Sequence, residues 1–552
     1  MAINFKLNHY KMLKFVELGD DIVVSNLCLF LDPTDVFNLS LTCKQLQILL
    51  TSNEAYHQLF LSKFGRITPL NLKEYNWKTL FKLRSSKELN FYTWGSAEHG
   101  RLGYYSRDIP QDHVCSGWPG VHTPTMVPNF ADYNIECVLT GGFSFQLLVN
   151  GNIFCVGADY APARREMATP GPTVEDYSRF NLEDSFGVPS PILHRWGRSS
   201  SAFRRTPNHL RLPDSPELRR PPEQLDFPTE YMRNLPRESL FVTRMELPRA
   251  SVDKQQHKIK SISSGRQHFL ALDDSGTVFT WDSGNSDWKV GVALTFPGLL
   301  GKITKIFAGW NLSVCYMVSV GLVVWCSREP VTEEQFEVGT NQATANYVVI
   351  PDLCLISEFI ALSDCVIFLH QQGGLFRFDI NASSAAAGTY ELSPAYPIIN
   401  FNRWLSRFNK VNDCEAVFTK LSGCYESFAV FSNHGLVLLG TKSNSVEDST
   451  DHPVVIPELQ NNGVIQVVIG DYHYMALTDS GELLSWGLEL KSQGCLGLGD
   501  LSHRSDGSAV LEGHSSRVCK PERVPKPSAN GKWMAAVAAG WHSGGLFVPG
   551  TE

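Results

Sequence analysis

Residues 262 to 281 read ISSGRQHFLALDDSGTVFTW, and residues 467 to 487 read VVIGDYHYMALTDSGELLSWG. Aligned on Gly265 and Gly470, the two stretches share His268 with His473, Ala271 with Ala476, Leu272 with Leu477, Gly276 with Gly481 and Trp281 with Trp486. Each is a short apolar strand, a glycine, an alternating strand, a polar glycine turn and a third strand. Agreement of this kind at a distance marks an internal repeat. Weaker copies stand at 139 to 157, 306 to 326, 360 to 379, 421 to 440 and 537 to 547, which makes seven units. Their anchors are assigned to Gly141, Gly265, Gly309, Ser363, Gly423, Gly470 and Gly540, spaced after the first interval by 44 to 70 residues. That is the size of one four-stranded propeller blade.

The two ends of the array complement one another. The last unit stops at Leu546-Phe547 without a third strand, whereas Phe91-Tyr92-Thr93-Trp94-Gly95 is a third strand without predecessors. A closed ring whose final blade takes one strand from the N-terminal side explains both and leaves no unpaired edge. One interval is too long. Residues 161 to 250 hold 13 of the 30 prolines, 14 Arg and no Lys, a composition that breaks strands and helices alike and predicts an insertion at about 160 to 240.

The first 90 residues have a helical texture instead. Leu18, Ile22, Val23, Leu27 and Leu31 recur at three- and four-residue steps until Asp32-Pro33-Thr34-Asp35 interrupts them. A second helix capped by Thr34 or Asp35 is expected to carry Val36, Leu39, Leu41 and Leu46 inward, and a third holds Tyr56, Leu59 and Phe60. The expected organisation is a three-helix module at 13 to 60, a helical connector at 61 to 89, and the propeller from 90 to 552. So small a module buries little core, and part of its apolar surface is expected to be completed by a partner.

Composition excludes several classes. The chain of 552 residues is 43% hydrophobic and 19% charged, with a net charge of -8, which gives no electrostatic basis for nucleic-acid binding. The N-terminus shows no secretory pattern and no apolar run reaches the roughly 20 residues of a membrane span, so a location in cytoplasm, nucleus or both is expected. The 13 cysteines contain no CxxC pair, which argues against a local zinc site. No hydrolase, nucleotide-binding or metalloprotease motif is present; neither catalysis nor a cofactor is expected. His268, His473 and His542 recur at one repeat position and are expected to bond strand backbone.

The motifs Trp94-Gly95 with Gly100, Leu102 and Gly103, and Trp486-Gly487 with Gly494, Leu496, Gly497, Leu498, Gly499 and Asp500, resemble the regulator of chromosome condensation (RCC) repeat. The head, with Leu18, the stretch from Leu27 to Leu31, Asp32-Pro33, Val36, the run from Leu39 to Lys44 and Tyr56, resembles an F-box, with Gly19 and Tyr56 where that family usually has Pro and Trp. The two resemblances imply a small all-α F-box head followed by an all-β, seven-bladed RCC-type propeller, as in fungal F-box proteins of the SCF-associated type. They further imply a non-catalytic substrate receptor of an SCF ubiquitin ligase, with a Skp-type adaptor, and through it cullin and RING subunits, as partners. The adaptor would then be held by Leu18, Ile22, Leu27, Leu31, Pro33, Val36, Leu39 and Leu41. A protein substrate would meet Trp310, Tyr472 and Trp541 after the repeat glycines, or the paired arginines Arg204, Arg205, Arg219 and Arg220 of the insertion. The RCC resemblance alone implies a different function, nucleotide exchange on a small GTPase or attachment to chromatin.

Overall fold

The computed structural model describes residues 23–24, 31, 33–64, 75–116, 119–157, 235–236, 241–248, 258–266, 268–281, 290–326, 342–350, 356–371, 374–380, 394–443, 445–446, 452–501, 509–512 and 514–550. Within them four helices, α1 (Pro33–Ser40), α2 (Lys44–Leu50), α3 (Asn53–Phe64) and α4 (Trp77–Arg84), precede seven sheets arranged as the blades of a propeller, antiparallel throughout except where Gln342–Thr344 adds parallel to Val292–Thr295 in blade 2. A fifth helix, α5 (Ile399–Asn412), lies between the fourth and fifth blades.

The blades follow the repeat. Blade 1 starts at Ile135–Thr140, blade 2 at Ile259–Ser264, blade 3 at Ile303–Ala308 and blade 4 at Ile356–Ala361. Blades 5, 6 and 7 start at Phe418–Cys424, Val464–Ile469 and Lys532–Ala539. The outer strand of blade 1 is Val242–Met245, which pairs with Asn152–Val156 across the long insertion. Blade 5 has three strands in its sheet, and α5 packs Phe401 and Leu405 into its core.

Closure uses two N-terminal strands, where one was expected. Lys532–Ala539 and His542–Val548 form the inner half of blade 7, and Asn90–Ser96 and Gly120–Met126 form the outer half. Phe91 stands opposite Leu546 and Trp94 opposite Ser543 in that ladder. The Trp94 indole N–H donates to Cys495 O in blade 6 at 3.1 Å, and its ring meets Trp533 at 5.8 Å. Trp94 and Trp533 are fully buried, so the seam between chain ends is as dry as the other blade contacts.

The ladders also correct three repeat anchors. At the corner between first and second strands Gly141, Gly265, Gly309 and Gly470 donate to the carbonyl three residues on, and in blade 4 it is Leu362 N that donates to Cys365 O. In blades 5 and 7 Cys424 pairs Ser427 and Ala539 pairs His542 in the same relation. The corners are therefore Leu362, Cys424 and Ala539, each one residue from the assigned Ser363, Gly423 and Gly540. A glycine is needed at Gly265 because a Cβ there would fall 2.3 Å from the Gly309 carbonyl of the next blade. Gly423 has a different use: its missing Cβ leaves space for Ile360 and for the Leu362 side chain that replaces a corner glycine. With the corners corrected, His268, His473 and His542 all stand three residues after one.

The expected bond to strand backbone is made by His542, at Ser144 of the following blade; all three histidines in addition bond a hydroxyl of the following blade. His268 Nε2 lies 2.9 Å from Ser313 Oγ, His473 Nε2 2.7 Å from Ser543 Oγ, and His542 Nε2 3.0 Å from Thr140 Oγ1. Ser543 donates its own proton to Cys495 O at 2.9 Å, which assigns His473 Nε2–H as the donor. Each histidine thus ties one blade to the next, and the third tie crosses the ring closure.

The head differs from expectation in two respects: Thr34 and Asp35, expected as caps, lie inside the first turn of their helix, and that helix ends early. The second helix begins at Pro33, whose fixed φ and absent N–H suit a first helical position, and it ends at Ser40. A turn at 41–43 then separates α1 from α2, so Leu41, expected inward, is 63% exposed. Val36, Leu46, Leu50, Ala55, Leu59 and Phe60 form the head core with Trp77 and Phe81 of α4, and His57 stacks on Trp77 at 4.2 Å.

Burial holds the His473 pKa down at about 4. Its unfolded value is about 6.5, so the unfolded chain takes up a proton first, and the stability this group allows is complete above that pH and lost as pH falls toward 4. The buried Glu489, raised to about 7 by desolvation, acts in the opposite sense. Comparison with His473→Gln isolates the histidine: between pH 7 and 4.5 wild type should lose about 1 to 3 kcal/mol more than the variant in urea titrations.

Candidate functional site

The head sits on one end of the propeller. Arg84, buried at the end of α4, donates from Nη1 to Ile135 O at 2.6 Å and from Nη2 to Glu136 O at 3.0 Å. Tyr75 donates its hydroxyl proton to Asp479 Oδ2 at 2.9 Å. Ile135 begins a first strand and Asp479 follows a second strand, so both lie at the end of the blades remote from the corners. Desolvation lowers the Arg84 guanidinium to about 10, partly offset by Glu136, yet it remains a cation at neutral pH. The corner end of the ring therefore faces away from the head.

On the head the sequence-assigned residues separate by environment. Val36 is 3% exposed and belongs to the head core, while Leu31, Pro33 and Leu39 are half-buried. Leu18, Ile22 and Leu27 lie outside the described residues. Phe37 and Ile48, which sequence reasoning passed over, are 61% and 67% exposed, as Leu41 is. Their signal was present: Val36, Leu46 and Leu50 make the inward stripe, and Phe37 and Ile48 are large apolar residues out of phase with it. Large side chains left in water on three successive elements are the mark of a docking surface.

At the corner end the residues after the corners converge on the mouth of the central shaft. The Arg266 guanidinium lies 3.7 Å above the Trp310 ring, and Trp310 meets Tyr425 at 4.1 Å. These three residues come from blades 2, 3 and 5, so their stack reaches past blade 4, where Ser363 N donates to Tyr425 O. Asp471 in blade 6 is raised by burial against the opposing field of Arg266. Tyr472 is half-exposed, and Trp541 is partly buried with the Lys491 ammonium 5.9 Å from its ring. Lys442 pairs with Asp364 at 3.3 Å and Glu426 at 3.1 Å on the same rim. Trp310, Tyr472 and Trp541 are thus brought to one face, with two additions: Arg266, which follows the Gly265 corner, and Tyr425, which the shifted blade 5 anchor had hidden. Arg204, Arg205, Arg219 and Arg220 lie outside the described residues.

Among the described residues no group of three or more His, Cys, Asp or Glu is placed to hold a metal ion, and no helix is long and apolar enough to cross a membrane. Fold and site together define a seven-bladed propeller with RCC-type blades, carrying a helical head on one face and an aromatic rim on the other. Residues 259–281 and 464–493 match the family model of the regulator of chromosome condensation (RCC1) repeat. The chain is 27% identical to SCF-associated factor 1 of Saccharomyces cerevisiae over 666 residues, covering 96% of this chain and 97% of that protein. It is 23% identical to F-box protein pof9 of Schizosaccharomyces pombe, covering 97% and 90% respectively. The yeast RCC1 (Prp20) structure determined with Kap60 is 12% identical, covers 84% of this chain and 90% of that one, and superposes with a TM-score of 0.49. The repeat match and the names of the two fungal relatives together support an F-box protein with RCC repeats.

Exposed and buried head residues should respond oppositely to a charge. Phe37→Asp and Leu41→Asp should leave the thermal midpoint of the isolated chain nearly unchanged, within about 0.5 kcal/mol. Val36→Asp places a carboxylate in the head core and should cost about 3 kcal/mol or more, read as early loss of helical signal on heating.

Proposed function

We propose that this protein is the substrate-binding subunit of an SCF-type ubiquitin ligase. Its head docks a Skp-type adaptor, and the adaptor joins it to cullin and RING subunits. The corner rim of the propeller holds a protein whose lysines are thereby brought to a conjugating enzyme for ubiquitination and degradation. The protein's own contribution to the chemistry is proximity, a second-order reaction made effectively intramolecular.

The observation that carries this reading is the placement of two unlike surfaces, an exposed apolar one and a partly buried cationic and aromatic one, at opposite ends of one ring. Phe37, Leu41 and Ile48 present aliphatic and aromatic surface on the head. Arg266, Trp310 and Tyr425 present the residue types that dominate binding hot spots, at the far end. A receptor must hold two partners at once, and this arrangement keeps their sites from competing. The names of the two fungal relatives support the same reading. Within the head, the side chains that complete the adaptor contact are Leu41, Phe37 and Ile48 with Leu31, Pro33 and Leu39 at their margin; Val36 contributes by fixing α1. Leu18, Ile22 and Leu27 belong to the proposed contact on sequence grounds.

Two variants separate the surfaces in one pull-down from cell lysate. Leu41→Asp should lose the adaptor and cullin, with a hot-spot cost of about 1 to 3 kcal/mol. Trp310→Ala should keep both and lose a subset of the other bound proteins, which accumulate in cells carrying the variant. Adaptor bound equally by wild type and by a Phe37→Asp, Leu41→Asp double variant would overturn the role given to the head.

A further inference from the structure

Helix α5 is an addition to the blade template, and the ring holds it in both halves. Asn402 Oδ1 accepts from Leu375 N at 3.0 Å and its Nδ2 donates to Leu375 O at 3.1 Å, which fixes the first half to the third strand of blade 4. Asn409 Oδ1 accepts from Ala416 N at 3.0 Å and its Nδ2 donates to Ala416 O at 2.9 Å, just before the first strand of blade 5. On the inward face Phe401 meets the Phe428 ring at 5.0 Å and fills the space over Gly440, in the third strand of blade 5. First strands line the shaft and third strands lie further out, so α5 belongs to the outer wall of the ring.

Opposite the buried Phe401 and Leu405 the helix carries Arg403, Arg407 and Lys410, all exposed. At about 100° and 1.5 Å per residue they lie within about 60° of one another, in a row about 10 Å long. Among the described residues no ion pair or hydrogen bond engages any of the three, and the Arg407 guanidinium stands 5.8 Å from the Trp404 ring. Arg403 with Arg407, and Arg407 with Lys410, are like charges four and three residues apart, an arrangement that weakens a helix. Asp413 and Glu415, the nearest acids in sequence, fall beyond the helix end. A second row adjoins the first: Trp404 is half-buried and Val411, seven residues on along the same side, is 74% exposed. In a chain of net charge -8, three unpaired cations beside exposed apolar surface serve neither the helix nor the core. They are what a partner of opposite charge would neutralise and cover.

We infer that the outer face of α5 docks an acidic amphipathic helix of a partner protein, its carboxylates opposite Arg403, Arg407 and Lys410 and an apolar row against Trp404 and Val411. Two adjoining rows at helical spacing are matched by a second helix, which repeats charged and apolar side chains at the same intervals. Nucleic acid fits less well: three cations in about 10 Å meet few phosphates, a phosphate backbone offers the apolar row nothing to pack on, and the net negative charge repels a polyanion at longer range. Because α5 is already fixed by Asn402 and Asn409, docking orders little of this protein. The surface shares no residue with the head or the corner rim and does not depend on the ligase reading.

A fluorescein-labelled peptide of about 18 residues, five helical turns with Glu and Leu in adjoining rows, is titrated with the full-length chain at low salt and followed by anisotropy. Wild type should bind it more tightly than an isomer of the same composition in scrambled order. Affinity should fall about tenfold or more in the Arg403→Glu, Arg407→Glu double variant. It should hold in Lys260→Glu, Lys302→Glu, which changes the net charge equally at exposed positions elsewhere on the ring. No binding to wild type, equal binding of the scrambled isomer, or an equal affinity or equal loss in the two double variants overturns the proposal. A DNA duplex that binds more tightly than the peptide, and is lost in the same α5 variant, overturns the protein partner in favour of nucleic acid. Should the charge reversal unfold the chain, Arg403→Gln, Arg407→Gln, which removes the like-charge pair, takes its place with the same readings.

Discussion

Everything in this molecule depends on the closure of blade 7. A propeller blade packs only against its two neighbours, so an open array would leave a sheet face uncovered at each of its two ends. Here two strands from each end of the array share a sheet, with Phe91 against Leu546 and Trp94 against Ser543. The hydroxyl opposite Trp94 is the same one that receives His473 from blade 6. The covalent order of the chain, the blade-to-blade ties and the dry aromatic seam therefore meet at one place. Loss of that seam would open the ring and, with it, both the rim and the shaft.

Closure also explains why the two exposed surfaces are fixed relative to one another. The head begins where strand Asn90–Ser96 leaves blade 7, and Arg84 fastens α4 to the first strand of blade 1 immediately across the seam. The head thus straddles the joint between last and first blades at the end remote from the corners. The rim draws on blades 2, 3, 5, 6 and 7, so its geometry is that of the whole ring and not of any blade. In the proposed function the ring serves as a rigid spacer between the head, which would face the adaptor, and the rim, which would face the substrate.

The repeat, the seven units and the helical head were legible in the sequence, because each rests on local periodicity; the Pro- and Arg-rich stretch at about 160 to 240 lies almost wholly outside the described residues. The three misplaced anchors show where that legibility stops. Gly423 and Gly540 attracted the alignment because glycine marks corners elsewhere, yet in blade 5 the glycine serves the packing of Ile360 and Leu362 from its neighbour. Leu41 was read inward because one helix was drawn through 41–43; the turn there reverses its environment. The histidines were recognised as structural, but their hydroxyl partners lie in the next blade, beyond any local window.

By itself the sequence determined the blade template, its number and the need for closure, since alternation, glycine turns and complementary ends are properties of the chain read in order. It also carried the RCC and F-box resemblances. Tertiary structure alone decided that two strands close the ring, that Phe37 and Ile48 stand exposed while Val36 does not, and that Arg266, Trp310 and Tyr425 meet across a mouth. The physical reason is the same in each case: these groups are separated by tens to hundreds of residues, and only the register of blade on blade brings their side chains within reach.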